Sequence, residues 1–166
     1  MTHPRITLGG VEIVLHAGAP VEAIEPIGGE VLLRLSQGAA VKMQHWSKRA
    51  GTISGQGWMP PGLDGLDYSQ PLLLLSTQQE NIVGAGRTFT LTSTPRADVE
   101  PWAQALVGDV WLPVACAHEY GEVTVEEVAG ATLYQVSWLP QFSVFARRPT
   151  KARSADHEWT ISWEEA

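Results

Sequence analysis

The period of the apolar residues, which is two almost everywhere along this chain, most restricts what it can fold into. The segment HEWTISWEEA, His157 to Ala166, sets Trp159, Ile161 and Trp163 on one face and Thr160, Ser162 and Glu164 on the other. That is the pattern of a strand with one buried side. In RITLGGVEIVLH, Arg5 to His16, the alternating register changes at Gly9-Gly10, as in a strand pair or a kinked strand. EVLLRLSQGAAVKMQHW, Glu30 to Trp46, gives Val31, Leu33 and Leu35, a turn near Gln37-Gly38, then Val41, Met43 and His45, which predicts a hairpin. RTFTLTST alternates Phe89 and Leu91 with threonines, and EVTVEEVAGATLYQVSWL reads as strand, turn at Ala129-Gly130, strand. One segment departs from this period. In RADVEPWAQALVGD, Asp98 suits a cap, Pro101 a first turn, Trp102, Ala105 and Leu106 one helical face, and Gly108 a stop, which predicts a short helix over 98–107. The fold class expected is mainly β: an antiparallel β-sandwich or barrel with that one helix and long loops, in a single domain of 1–166.

Two stretches interrupt the strands. Residues 53–71, ISGQGWMPPGLDGLDYSQP, join Gly and Pro residues that oppose regular structure to Trp58, Met59, Leu63, Leu66 and Tyr68. Large apolar side chains on an irregular backbone need a cover, either their own domain or a neighbouring subunit. Trp, Met and Tyr are enriched in interface cores, so the neighbour is the expectation. Residues 146–157, ARRPTKARSADH, carry four Lys and Arg residues and His157 and form either a long hairpin tip or a mobile loop.

A chain of 166 residues can bury roughly 70% of its unfolded surface, enough for a core without covalent staples. Cys116 is the one cysteine, so no disulfide forms within the chain, and a reducing compartment is expected. No apolar run approaches the ~20 residues that span a bilayer, and Met1 to Gly10 lacks a signal-peptide pattern, so neither membrane insertion nor export is expected. Eleven Lys and Arg against 18 Asp and Glu give a formal net charge of −7, which disfavours nonspecific binding to nucleic acid.

Catalytic and cofactor signals are sparse. In ACAHEY, Cys116 and His118 project to the same side of a strand, but zinc would require two further ligands, and nucleophilic Cys–His pairs generally come from separate elements. GAGR, Gly84 to Arg87, lacks the third glycine and the following helix of a phosphate-binding loop and reads as a turn. Asp64 and Asp67 lack the spacing of a calcium loop and read as turn aspartates bonding their own backbone. Seven tryptophans suit a core or a subunit interface, with Trp46, Trp138, Trp159 and Trp163 on strand patterns. No catalytic residue, metal or cofactor is expected.

Lys42 to Leu74, KMQHWSKRAGTISGQGWMPPGLDGLDYSQPLLL, resembles a segment of small tail proteins of long-tailed, siphovirus-like bacteriophages. In these a strand ending in Trp leads into ISG.GW.PPGLDGLDY. The resemblance covers about a fifth of the chain. It implies the tail-tube fold of tube and distal tail proteins, a sandwich flanked by a helix with loops reaching adjacent subunits of a hexameric ring. It further implies a structural virion protein, assembled in the host cytoplasm, with itself, the tube, the tape measure and the tail-tip hub as partners and DNA as passing cargo. Trp58, Met59, Pro60, Pro61, Leu63, Leu66 and Tyr68 would then form the subunit interface. Arg147, Arg148, Lys151 and Arg153 would meet the ring above or below. Two readings from other classes stand beside it: a stand-alone carbohydrate-binding β-sandwich using exposed Trp and Tyr, and an enzyme centred on Cys116 and His118.

Overall fold

The computed structural model describes residues 3–166; of the N-terminal stretch read above, Met1 and Thr2 lie outside the described residues. The protein is mainly β, with several antiparallel sheets, 59% of it strand and 2% helical. The strands are β1 (Thr7–Leu8), β2 (Val11–Glu12), β3 (Val21–Arg34), β4 (Ala40–Gly57) and β5 (Leu72–Leu75). Then follow β6 (Glu80–Gly84), β7 (Thr88–Thr90), β8 (Trp102–Val107), β9 (Val110–Val114) and β10 (Cys116–Glu119). The last are β11 (Glu122–Val125), β12 (Ala131–Trp138), β13 (Gln141–Ala146), β14 (Thr150–Arg153) and β15 (His157–Glu165). A single 3-10 turn covers Leu15–Ala17. The chain, read above as one domain of 1–166, divides by its contacts into two compact units, 1–7 with 73–142 and 8–72 with 143–166. The boundaries fall within β1, β5 and β13.

The first unit is a small sandwich. One sheet runs β6-β12-β8-β9 and the other β10-β11-β7. Side chains from both meet in a core of Phe89, Ala103, Ala105, Val123, Val125, Tyr134, Val136 and Trp138. The helix expected over 98–107 is not formed: Trp102–Val107 is strand β8, paired with β12 on one side and β9 on the other. The helical reading joined Trp102, Ala105 and Leu106. The buried face is instead Ala103 and Ala105, two residues apart, with Trp102 turned outward. Gly108, at φ 62°, does stop the run, in a two-residue hairpin turn with Asp109 rather than as a helix cap. The strands on either side of Ala129-Gly130 exist, but β11 and β12 enter different sheets. A second two-residue turn, Tyr120-Gly121, joins β10 to β11 with positive φ at both residues, 49° and 82°. Such backbone costs a Tyr roughly 1 kcal/mol that Asn or Gly would avoid.

A buried arginine ties this unit together. Arg96, 3% exposed, donates Nε and Nη2 to the two Asp98 oxygens at 2.8 and 2.7 Å. Its Nη1 reaches the Arg5 and Ser76 carbonyls at 2.9 and 3.0 Å. Asp98, read above as a helix cap, is therefore the counter-ion of a desolvated guanidinium. Those hydrogen bonds hold its carboxyl below the usual range.

The second unit is built on the order β13-β15-β4-β3, with β14 also paired to β15. Trp159, Ile161 and Trp163 are buried as their alternation requires. They sit opposite Gly55, Ile53 and Gly51 of β4. A Cβ on Gly55 would lie 2.6 Å from the Trp159 indole, and one on Gly51 would lie 2.7 Å from that of Trp163 and would strike the Ala23 carbonyl oxygen. The indoles thus occupy the space a side chain would take. Trp159 Nε1 donates to the Ala17 carbonyl at 2.7 Å. The expected loop 53–71 begins later than its composition suggested, because Ile53–Gly57 belongs to β4 and pairs with β15. The basic stretch 146–157 is a hairpin and not a free loop, since Thr150–Arg153 pairs with Thr160–His157.

Gly51→Ala is expected to destabilise the protein by about 2–3 kcal/mol in denaturant unfolding. Gly65→Ala, with open space around it and no positive φ, should be neutral. Asp98→Asn should cost about 1–3 kcal/mol. Because the folded pKa of Asp98 is depressed, its contribution is present above the ordinary carboxylate pKa and lost as pH falls below about 4. That acid sensitivity should be smaller in the variant.

Candidate functional site

The β3–β4 hairpin extends well past the sheet that carries it. β15 covers β4 only over Ala50–Gly57, so from Pro26↔Arg49 to Arg34↔Ala40 the two strands pair with each other alone. This two-stranded arm is about 30 Å long at the rise of a β-strand. Every residue from 30 to 48 is exposed. Its tip closes through Leu35 N to Ala39 O at 2.9 Å and Gly38 N to Leu35 O at 2.8 Å, with Gly38 at φ 81°. The turn is where the sequence placed it.

The arm has two unlike faces. Cross-strand partners share a side, which groups Val31 with Met43 and Leu33 with Val41. A bulge opposite Gly29 and Glu30 inserts His45 and returns Trp46 to that same side, where its indole lies over Gly29. The reverse side pairs Glu30 with Gln44, Leu32 with Lys42 and Arg34 with Ala40, and Lys42 bridges to Glu30 at 2.6 Å. Trp46, expected in a core or interface, is 50% exposed. Isolated two-stranded ribbons are marginal in water, and contiguous uncovered apolar stripes mark interaction surfaces.

The segment 58–71 divides between inside and outside. Leu63 and Pro61 are buried in the chain's own fold, and the Leu66 methyls fill the space beside Gly9. These three of the expected interface residues have their cover already. Tyr68 is half-buried and donates its hydroxyl to the Leu63 carbonyl at 2.8 Å. Asp67 accepts from Ser69 N at 3.0 Å and Ser69 Oγ at 2.6 Å, the backbone-bonding turn expected of it, and its carboxyl is lowered accordingly. Trp58 stands apart at 68% exposed, in an edge-to-face contact with His16, ring centroids 5.6 Å apart.

The basic residues close on this same segment. Lys151 pairs with Asp64, and the Arg148 guanidinium lies 5.8 Å over the Tyr68 ring. Burial and the Asp64 charge raise the Tyr68 phenol, and Arg148 opposes them. Two stretches read as separate contact surfaces are therefore one surface, clasped by charge, from which Trp58 projects. Arg147 and Arg153 are exposed.

Cys116 and His118 do share a side of β10, and Cys116 packs against the core of the first unit. Desolvation and the nearby Glu100 push the thiol up, so at neutral pH it is protonated and donates to the Pro101 carbonyl at 3.6 Å. Among the described residues no group of three His, Cys, Asp or Glu is placed to hold a metal ion. The arm's isolation was invisible to sequence reasoning, although its hairpin was not: the signal was an apolar stripe longer than the glycine-anchored part of β4. No protein-family model matches the chain, and no curated protein does.

Leu63→Ala should cost about 2–5 kcal/mol as a core truncation, whereas Trp58→Ala should change stability by less than about 1 kcal/mol. Thermal unfolding of the two variants side by side separates buried from presented residues in this segment.

Proposed function

We propose that the protein is a structural, noncatalytic component of a phage tail, a distal tail or tail-tip ring protein that assembles with copies of itself around the DNA channel. The observation that carries this reading is the arm: an amphipathic two-stranded ribbon whose Val31, Leu33, Val41, Met43 and Trp46 face water in the isolated chain. Covering five such half-exposed side chains is worth on the order of 1 kcal/mol each before the cost of association. The open edges of β3 and of the outer half of β4 add unpaired backbone groups that a neighbouring strand would satisfy. The tail-like segment Lys42 to Leu74 runs from the arm through β4 to Trp58, so the resemblance falls on both presented surfaces.

On this reading the ring is a hexamer, its contacts heterologous, with the arm of one copy on the body of the next. Trp58 and the Arg147–Arg153 clasp meet neighbouring subunits or the adjacent tube, tape-measure and hub proteins. The acidic balance, repeated in every copy, keeps DNA a passing cargo.

Light scattering across a concentration range, followed by negative-stain imaging, tests the reading. Wild-type protein is expected to grow in mass with concentration and to form rings. Leu33→Glu and Met43→Glu should leave the unfolding temperature unchanged and abolish the growth. A wild-type chain that stays monomeric at high concentration, or arm variants that assemble as well as wild type, would overturn it.

A further inference from the structure

The first unit holds an open groove of about 770 Å3 that the assembly surface does not use. One wall is the stretch from Leu91 to Ala97, another the tip of the β10–β11 hairpin, with Glu100 and Gln141 completing it. Two features of this groove work against the stability of the fold. Tyr120 occupies a positive-φ turn position where Asn or Gly would be unstrained, and its ring is fully exposed at the groove mouth. Behind it, His118 Nε2 is closed off from water with no hydrogen-bond partner among the described residues. Thr94, Glu100 and Gln141 add a hydroxyl, a carboxylate and an amide around the apolar side of Leu91. The guanidinium of Arg96, also on the wall, is taken up by Asp98 and two carbonyls, which leaves a carboxylate as the charge facing the groove.

We infer that this groove is a binding site for a neutral, polyhydroxylated ligand, a short saccharide. Its ring stacks on Tyr120, its hydroxyls donate to Glu100 and exchange hydrogen bonds with Thr94 and Gln141, and one hydroxyl satisfies the His118 imidazole as that ring turns toward it. An aromatic platform flanked by acceptor and amide groups suits a molecule with an apolar face and a polar edge. Anions are repelled by Glu100. The site is independent of the assembly surface, so either reading can fail without the other.

Chitotriose, cellotriose and maltotriose, with choline as a cationic control, are titrated into the full chain and followed by saturation-transfer NMR and calorimetry. At least one trisaccharide is expected to bind saturably. Tyr120→Asn should weaken that binding by tenfold or more while the unfolding temperature rises or holds, and His118→Leu should weaken it without loss of stability. Residues kept only for structure would show the reverse, a lower unfolding temperature. No binding by any of the three sugars, selective binding of choline, or sugar binding untouched by both variants would overturn the proposal. Light scattering of Tyr120→Asn should match wild type.

Discussion

Glycine under tryptophan is the contact on which the second unit depends. At Gly55 and Gly51 the missing Cβ lets the indoles of Trp159 and Trp163 lie against the β4 backbone, flanking the Ile53–Ile161 pair. Each such glycine costs roughly 0.5–1 kcal/mol of backbone entropy, which burial of an indole exceeds. The same device recurs at Gly29 under Trp46, farther along the same ribbon and outside the sheet's cover. One strand is therefore anchored over its second half and left projecting over its first.

This asymmetry organises what the protein can offer a partner. A core that ends partway along an 18-residue strand leaves the remainder as a two-stranded ribbon with apolar side chains it cannot bury alone. Segment 58–71, by contrast, gives most of its apolar residues to the chain itself and keeps Trp58 outside. The Lys151–Asp64 pair and the Arg148–Tyr68 contact hold that presentation in place. Such exposed charge pairs contribute little stability, and their worth lies in fixing geometry. In the first unit the relation between order and cost is inverted: Arg96 places four of its five N–H donors where the sandwich needs rigidity, while strain and an unmet imidazole collect around one groove.

Much of the fold was legible because a half-buried strand writes its period into the sequence. The 157–165 strand, the turn at Gln37-Gly38, and the strands around Phe89 and Val123 all stand where alternation placed them. The helix over 98–107 did not form because Ala103 and Ala105 support either period locally, and pairing with β12 and β9 decided between them. Strand β5, four consecutive leucines, and β9, which carries a proline, show no alternation to read. Of the candidate sites, the apolar and basic stretches were visible as composition, but not that Asp64 and Tyr68 would join them. Tyr120 gave no signal, since an exposed turn tyrosine is ordinary until its φ is known.

By itself, then, the sequence determined that this chain is a β protein of formal net charge −7, with glycines and prolines marking where its strands turn. Tertiary structure alone decided which alternating strands are covered. Val31, Leu33, Val41 and Met43 carry the same period as Trp159, Ile161 and Trp163, yet one set faces water and the other is buried. A period of two states only that a strand has two unlike faces. Whether anything lies against the apolar one depends on residues more than a hundred positions away, through the pairing of β4 with β15.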